Sequence, residues 1–281
     1  MLKVVTWNVN GIRKRAPEVS AFIAEQQPDV LCLQEIKASA EHVPKELSEL
    51  PDYHGYWHGH KGYSGVGLLL ARRTFGGRPA FTHPEFDHET RIVLARVGKL
   101  VLASIYVPNG GKDFAAKQRF LDGLETFVAS SLQRGDQLLL CGDLNVARED
   151  RDVHPSLQKP GQIGRTPEEQ SQFGRILSLG LEDLGRKFYP DDDRLFTWWA
   201  PWRNLREKNV GWRIDYVLAS SELAPAAQSC EVLRLVGTSD HGPLVAQLAY
   251  TPELLPATDE SAPEPPVSPA SPGNPQGTLP F

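Results

Sequence analysis

The run Leu138-Leu139-Leu140-Cys141-Gly142-Asp143-Leu144-Asn145 limits what this chain can fold into more than any other stretch. It begins as an apolar segment of strand length and ends on a carboxylate and an amide two residues apart. In extended backbone, residues i and i+2 share a face, so Asp143 and Asn145 are expected to point together and Leu144 away. An apolar strand with two polar side chains at its carboxyl end offers a floor for chemistry. Taken alone, the run also fits a buried strand closed by a Gly-Asp turn. The two readings are separated by whether other strand ends carry matching groups.

They do. Residues 2–8 form a strand pattern that ends on Asn8 and Asn10, with a turn at Gly11. Pro17 fits the first position of a helix that carries Val19, Phe22 and Ile23 on one face and stops at Pro28. Residues 29–35 read as the next strand, ending on Gln34 and Glu35. Strand, helix, strand predicts a layered α/β protein. Between residues 53 and 73 lie two strand-like runs around a polar, aromatic loop, His58 to Gly65. Residues 92–96 and 100–107 predict a hairpin turning at Gly98-Lys99, and its second strand leads to Tyr106 and Asn109. A helix from about Asp113 places Phe114, Lys117, Phe120, Leu121, Leu124 and Val128 along one side, and Gly135 closes it.

Residues 148–165 are polar and rich in Pro and Gly, which predicts a long surface loop. Thr166-Pro167-Glu168-Glu169 is a capping box with proline at the first helical position. An aromatic stretch, 196–202, precedes a charged loop, 203–209. Strands are expected at 211–218, 230–236 and 244–250, with Asp215 on the first and Asp240-His241 between the last two.

Composition decides only a few points. No apolar run is long enough to span a bilayer, and the first residues do not read as a secretory signal. Cys32, Cys141 and Cys230 are odd in number and widely spaced, as for buried thiols in a reducing, cytoplasmic setting rather than disulfides or a zinc cage. The net charge of −5 does not suggest a nucleic-acid binder. Four of the 35 acidic residues, however, lie beyond Thr251, so the rest of the chain is close to neutral. Residues 251–281 also hold nine of the 23 prolines and no Lys or Arg. They are expected to form a disordered tail behind one domain of residues 1–250.

Glu35, Asp143, Asp215 and Asp240 supply hard oxygen ligands. With few Cys and no His cluster of zinc-cage spacing, the suitable ion is magnesium, with manganese able to substitute. Carboxylates, amides and an Asp-His pair suit phosphoester hydrolysis: a metal to neutralise the phosphate, a base for water, and a proton donor for phosphoryl oxygens.

Seven blocks, in order, resemble one family. They are Thr6-Trp7-Asn8-Val9-Asn10-Gly11, Leu33-Gln34-Glu35-Ile36-Lys37, Gly62-Tyr63-Ser64-Gly65-Val66-Gly67, Tyr106-Val107-Pro108-Asn109-Gly110, Gly142-Asp143-Leu144-Asn145-Val146-Ala147, Asn209-Val210-Gly211-Trp212-Arg213-Ile214-Asp215-Tyr216 and Ser239-Asp240-His241. The family is exonuclease III and the apurinic/apyrimidinic endonucleases, within the endonuclease/exonuclease/phosphatase superfamily, and the resemblance is to its bacterial members. The resemblance implies a four-layered α/β sandwich like that of DNase I, two packed sheets flanked by helices. It also implies a monomeric, nucleoid-associated enzyme that cuts duplex DNA 5′ to abasic sites and trims blocked 3′ ends by 3′→5′ exonuclease and 3′-phosphodiesterase activity. A lipid or inositol phosphoesterase and a catalytically silent DNA- or clamp-binding scaffold are the alternatives.

The roles implied by that resemblance are as follows. Glu35, helped by Asp240 and Asn10, binds the metal, although some relatives carry a carboxylate where Asn10 stands. Asp143 orients or deprotonates the water, with Asn145 and Asn8 positioning it and the phosphate. His241, held by Asp215, contacts the scissile phosphate, and Tyr106 and Asn109 hold it or stabilise the leaving oxygen. The identity of the base and the number of metal ions stay open. Trp198, Trp212 and Ile214 match positions that line a pocket for a base-less sugar. Trp7 and Trp57 are assigned to the core. Trp202 either wedges into the duplex or packs. Arg13, Lys14, Lys61, Tyr63, Lys112, Arg203 and Arg206 are candidate DNA contacts. Gln276, Leu279 and Phe281, at the end of the tail, resemble a peptide that binds the bacterial sliding clamp.

Overall fold

Strand-length apolar runs with polar ends leave few arrangements open, because every such strand needs cover on both faces. A computed structural model describes residues 1–257 of the chain. Gln276, Leu279 and Phe281 lie outside the described residues. In chain order the first half contains β1 (Leu2–Asn8), α1 (Ile12–Gln26), β2 (Val30–Gln34), α2 (Lys45–Ser48), β3 (Tyr53–His60), β4 (Tyr63–Ala71), α3 (Arg72–Phe75), β5 (Ala80–Thr82), β6 (Ile92–Val97) and β7 (Leu100–Tyr106). The second half contains α4 (Phe114–Gln133), β8 (Gln137–Asp143), α5 (Pro167–Ser178), β9 (Leu181–Asp183), α6 (Leu184–Phe188), β10 (Asp215–Ser220), β11 (Ala227–Val232) and β12 (Leu244–Leu248).

The strands form two sheets of six, ordered β11-β12-β1-β2-β4-β3 and β5-β6-β7-β8-β10-β9. Alternate residues of both sheets meet in one core: Val4, Cys32, Leu68 and Ala246 from the first, Ala95, Leu102, Cys141 and Val217 from the second. The opposite face of the first sheet packs Val5, Trp7, Leu31 and Leu69 against Val19, Phe22 and Ile23 of α1. The opposite face of the second packs Val101, Ile105 and Leu140 against Phe120, Leu124 and Val128 of α4 and Phe173 and Ile176 of α5. The result is the four-layered sandwich expected. Truncating a buried leucine of the central layer, such as Leu68→Ala, is expected to cost about 2–5 kcal/mol.

The two sheets share one topology, and that topology places the site. Each has a single parallel pair at its middle, β1–β2 and β7–β8, with antiparallel neighbours outside. Parallel pairing brings the carboxyl ends of both strands to the same edge. β10 runs antiparallel to β8 and β12 antiparallel to β1, so their starts reach that edge too. Gly142 lets β7 and β8 approach closely there. At its φ of +154°, a Cβ would lie 1.9 Å from the Ile105 carbonyl oxygen.

Several boundaries differ from those read off the sequence. Helix α1 begins at Ile12, so Pro17 lies inside it and removes one internal hydrogen bond rather than opening the helix. Strands β3 and β4 run through the predicted His58–Gly65 loop and turn at Lys61-Gly62. Residues 148–165 are pinned rather than loose. Buried Asp152 pairs with Arg213 and Arg186, Arg213 also with Asp183, and Val153 bridges to Trp212. The first residues of the tail are also paired: Leu255 donates its N–H to the Phe75 carbonyl (2.9 Å) and accepts from Gly77 (3.0 Å). Strands β5 and β9, three residues each, are too short to leave a periodic signal. The three cysteines are free and buried, and no helix among the described residues is long and apolar enough to cross a membrane.

Candidate active site

The convergence predicted from the strand ends is present. From the first sheet come Asn8 at the end of β1, Asn10 just beyond it and Glu35 just beyond β2. From the second come Tyr106 at the end of β7 with Asn109 beyond it, Asp143 at the end of β8 with Asn145 beyond it, and Asp215 at the start of β10. Asp240 and His241 precede β12. Asn8 ties the sheets together: its amide donates to Glu35 Oε1 (2.9 Å) and to Asp143 Oδ2 (2.9 Å).

The extended i, i+2 geometry expected at two strand ends is replaced by a turn. Asn10 and Asn145 both take left-handed backbone, at φ +45° and +51°, and each donates its N–H to the polar side chain two residues back. Asn10 N reaches Asn8 Oδ1 at 3.0 Å, and Asn145 N reaches Asp143 Oδ1 at 2.9 Å. Glu35 is also left-handed, at φ +49°. Such backbone in residues other than glycine costs free energy and persists only where the surroundings enforce it.

Asp143 and Asp215 face each other across β8 and β10, a placement that costs free energy for like charges. His241 stands between them, with Nδ1 2.9 Å from Asp215 Oδ2 and Nε2 3.9 Å from Asp143 Oδ2. Burial alone would lower the His241 pKa, but Asp215, Asp143 and Asp240 together push it up to about 10. Burial, then Asp215 and Glu35, push Asp143 up to about 8 against the pull of His241 and Asn8. Burial would raise Glu35 as well, yet hydrogen bonds from Lys37 and Asn8 hold it below the usual carboxylate range. Burial and the Glu35 and Asp143 carboxylates push the Tyr106 hydroxyl up, so it stays a phenol beside Glu35.

Groups able to hold a metal sit in two adjoining sets, with the expected ligand Glu35 in one and Asp240 and Asn10 in the other. Glu35, Asp143 and His241 bring one ligand atom each within 4.8 Å of one another. Asn10 Nδ2 donates to Asp240 Oδ1 (2.9 Å), and Trp198 Nε1 donates to Asp240 Oδ2 (3.0 Å). Lys37 joins the groups, its ammonium 2.8 Å from Glu35 Oε2 and 2.6 Å from Asn10 Oδ1. A cation is thus already held by two of the three expected ligands. The donor set fits a hard divalent ion, and the repulsion that raises Asp143 is of the kind such an ion relieves. His241, carrying both protons, suits a phosphate better than a metal.

The pocket residues also meet. Trp198, Trp212 and Ile214 pack with Ala147 and Val153, and the two indoles stand edge-to-face at 6.5 Å. Trp7 is buried as expected and donates to the His241 carbonyl (3.2 Å), while Trp57 packs on the first sheet's outer face. Of the candidate DNA contacts, Arg13, Lys14, Lys61, Lys112 and Arg203 are exposed, as are Tyr63 and Trp202 at 57% and 59%. Arg206 departs from expectation. Its guanidinium is spent on the carbonyls of Arg234, Val236, Gly237 and Ser239 and lies over the Trp199 ring. A short loop with four inward-facing carbonyls captures an arginine that sequence pattern places on the surface.

Sequence pattern missed several supports. Thr197 Oγ1 accepts from the N–H groups of Ile214 and Asp215 (3.1 Å each), and Ser239 Oγ donates to the Asn8 carbonyl (2.7 Å). Lys37 lies two residues beyond Glu35 in the segment 33–37, and that place is the signal the sequence offers for it. His58, His83 and Asp87 also cluster. There the two imidazoles are stacked at 3.7 Å and 17°, so an ion in the plane of one ring would lie well out of the plane of the other.

Residues 5–241 match the model of the endonuclease/exonuclease/phosphatase family. DNA repair nuclease APEX1 of Danio rerio is 33% identical over 259 residues, covering 88% of this chain and 82% of that one. Exodeoxyribonuclease III of Haemophilus influenzae is 31% identical over 265 residues, covering 88% of this chain and 99% of that one. The structure of an AP endonuclease from Archaeoglobus fulgidus superposes with a TM-score of 0.79 at 30% identity, covering 89% of this chain and 100% of that one.

Proposed function

The chain belongs to the endonuclease/exonuclease/phosphatase family, and from that premise we propose that it is a metal-dependent DNA repair nuclease that hydrolyses the phosphodiester 5′ to abasic sites in duplex DNA and trims blocked 3′ ends. The observation that carries the reading is the Asn8 bridge. One amide holds Glu35 of the first sheet and Asp143 of the second in a single buried cluster beside the Asp215–His241 pair.

The contacts support the following roles. Asp143 is held at both oxygens, by Asn8 and by the Asn145 N–H, so its orientation toward a water is set before substrate arrives. A proton affinity lifted toward neutrality suits it to take or to share that water's proton. His241 keeps its proton through Asp215 and presents Nε2–H to a phosphoryl oxygen. Asn109 and Asn145, bonded to each other at 3.2 Å, and the Tyr106 phenol are donors for the remaining phosphate and leaving oxygens. A magnesium ion, or manganese in its place, held by Glu35 with Asp240 and Asn10, would neutralise phosphate charge. The apolar wall of Trp198, Trp212 and Ile214 favours a base-less deoxyribose, for which a lipid or inositol phosphate has no counterpart. Arg13, Lys14, Lys61, Tyr63, Lys112, Trp202 and Arg203, all exposed, are the side chains this reading assigns to DNA contacts.

The test is a labelled duplex with one abasic site. We expect a nick on its 5′ side leaving a 3′-hydroxyl, dependent on Mg²⁺. An intact duplex after incubation with folded protein and Mg²⁺ contradicts the proposal. A monomer acting at the cytoplasmic nucleoid, with Gln276, Leu279 and Phe281 docking on the sliding clamp, completes the reading. Equal clamp retention by the full chain and by one lacking residues 276–281 would remove that last element.

A further inference from the structure

Lys117 is a buried lysine with no part in the scheme above. It lies on α4, its side chain is 0% exposed, and it ion-pairs with Glu169, also 0% exposed. Burying two charges seldom adds stability over an apolar pair of the same size, so a buried pair invites another explanation. Its hydrogen bonds supply one. Nζ donates to the Asn145 carbonyl (2.7 Å), the Asn109 carbonyl (3.2 Å) and Glu169 Oε1, which uses all three ammonium donors. Glu169 in turn accepts from the N–H groups of Gly164 (2.8 Å) and Thr166 (2.9 Å).

The two carbonyls belong to residues whose amides meet in the site. Asn109 Nδ2 donates to Asn145 Oδ1 (3.2 Å), and Asn145 Nδ2 donates to the Val107 carbonyl (2.9 Å). Asn145 holds left-handed backbone at φ +51°. The loop after β7 is laid directly on the lysine stem: a Cβ on Gly110 would stand 2.9 Å from Lys117 Cδ. We infer that Lys117 is a positioning residue, clamping the Asn109 and Asn145 loops from beneath so that their amides and the Asn145 N–H stay aimed at Asp143 and the phosphate. Glu169 is the counter-charge that makes a lysine tolerable there and anchors it to the start of α5.

This inference rests on the function proposed above. The variant Lys117→Met/Glu169→Gln removes both charges at similar volume. On abasic duplex with Mg²⁺ its kcat is expected to fall about 10- to 100-fold, with KM within about twofold, because displaced rather than missing groups slow the chemical step. Phe120→Leu, on the same helix but packed only in the outer core, is the control: it lowers thermal stability and keeps kcat. Hydrogen exchange of the Asn145 amide, which needs no substrate, should quicken roughly tenfold in the double variant and not in the control. A folded double variant with wild-type kcat, or unchanged Asn145 exchange, overturns the inference. If it does not fold, Lys117→Gln/Glu169→Gln, which keeps two uncharged N–H donors on a shorter side chain in place of three ammonium donors, should give an intermediate kcat, and a wild-type value there also overturns it. Failure of the wild type to nick abasic DNA defeats the proposed function, and Asn145 exchange then decides the clamp alone.

Discussion

The floor of the site and its rim are built by different rules. On the floor Asn8, Asp143, Asn145, Asp215 and His241 are buried, bonded to one another across two sheets and set by strand ends. On the rim Arg13, Lys14, Lys61, Lys112, Trp202 and Arg203 are exposed, and most project from turns and loops. The floor is pre-organised and cannot adapt to a ligand, and the rim is free to do so. Chemistry should therefore depend on the floor, and DNA affinity with its salt sensitivity on the rim.

Four substitutions probe that division. Asp143→Asn keeps the side chain's size but removes its charge and one of the two acceptor oxygens that Asn8 and the Asn145 N–H hold, and kcat is expected to fall roughly 10³-fold with little change in KM. A fall no larger than a rim variant shows would break the comparison. His241→Gln should cost about 10²-fold in kcat by removing a charged donor to the phosphate. His241 also links the floor to pH. Its pKa rises from an ordinary 6.5 to about 10 on folding, so its contribution to stability is complete below pH 6.5 and is lost as pH rises through 10. In thermal melts with chelator, the gap between wild type and His241→Gln should therefore shrink over that range. A gap that widens with pH reverses the assignment.

Trp202→Ala belongs to the rim and is expected to raise KM about tenfold through lost base stacking, with kcat held. An unchanged KM would assign the indole to no DNA contact. Arg206→Met sharpens the boundary. Read as sequence it is a rim residue, yet its guanidinium fills a ring of carbonyls, so it should lower stability by about 2 kcal/mol and shift DNA binding only slightly. A drop in salt sensitivity without loss of stability would return Arg206 to the rim.

The floor was legible in sequence because strand ends are local: an apolar run names its strand, and the polar residue that ends it names the site. What could not be read was pairing. Nothing in residues 2–8 or 137–143 says that each sheet has one parallel pair at its centre, and it is that pairing which brings Asn8 to Asp143. The left-handed turns at Asn10, Glu35 and Asn145 were likewise hidden, because these residue types also fit extended strands. Arg206 and Leu255 were misplaced for a related reason. Composition puts an arginine in a charged loop and a leucine in a Pro-rich tail outside, whereas specific carbonyl partners draw both in.

In the proposed reading, one buried cluster, shared by two sheets and completed by a divalent cation, cuts DNA at abasic sites. Single-turnover incision of a duplex with one abasic site tests it directly, using wild type with Mg²⁺, wild type with chelator, and Asp143→Asn with Mg²⁺. We expect a 5′ nick in the first case alone on the time scale of the wild-type reaction. Nicking by wild type in chelator, or by Asp143→Asn at the wild-type rate, would contradict it.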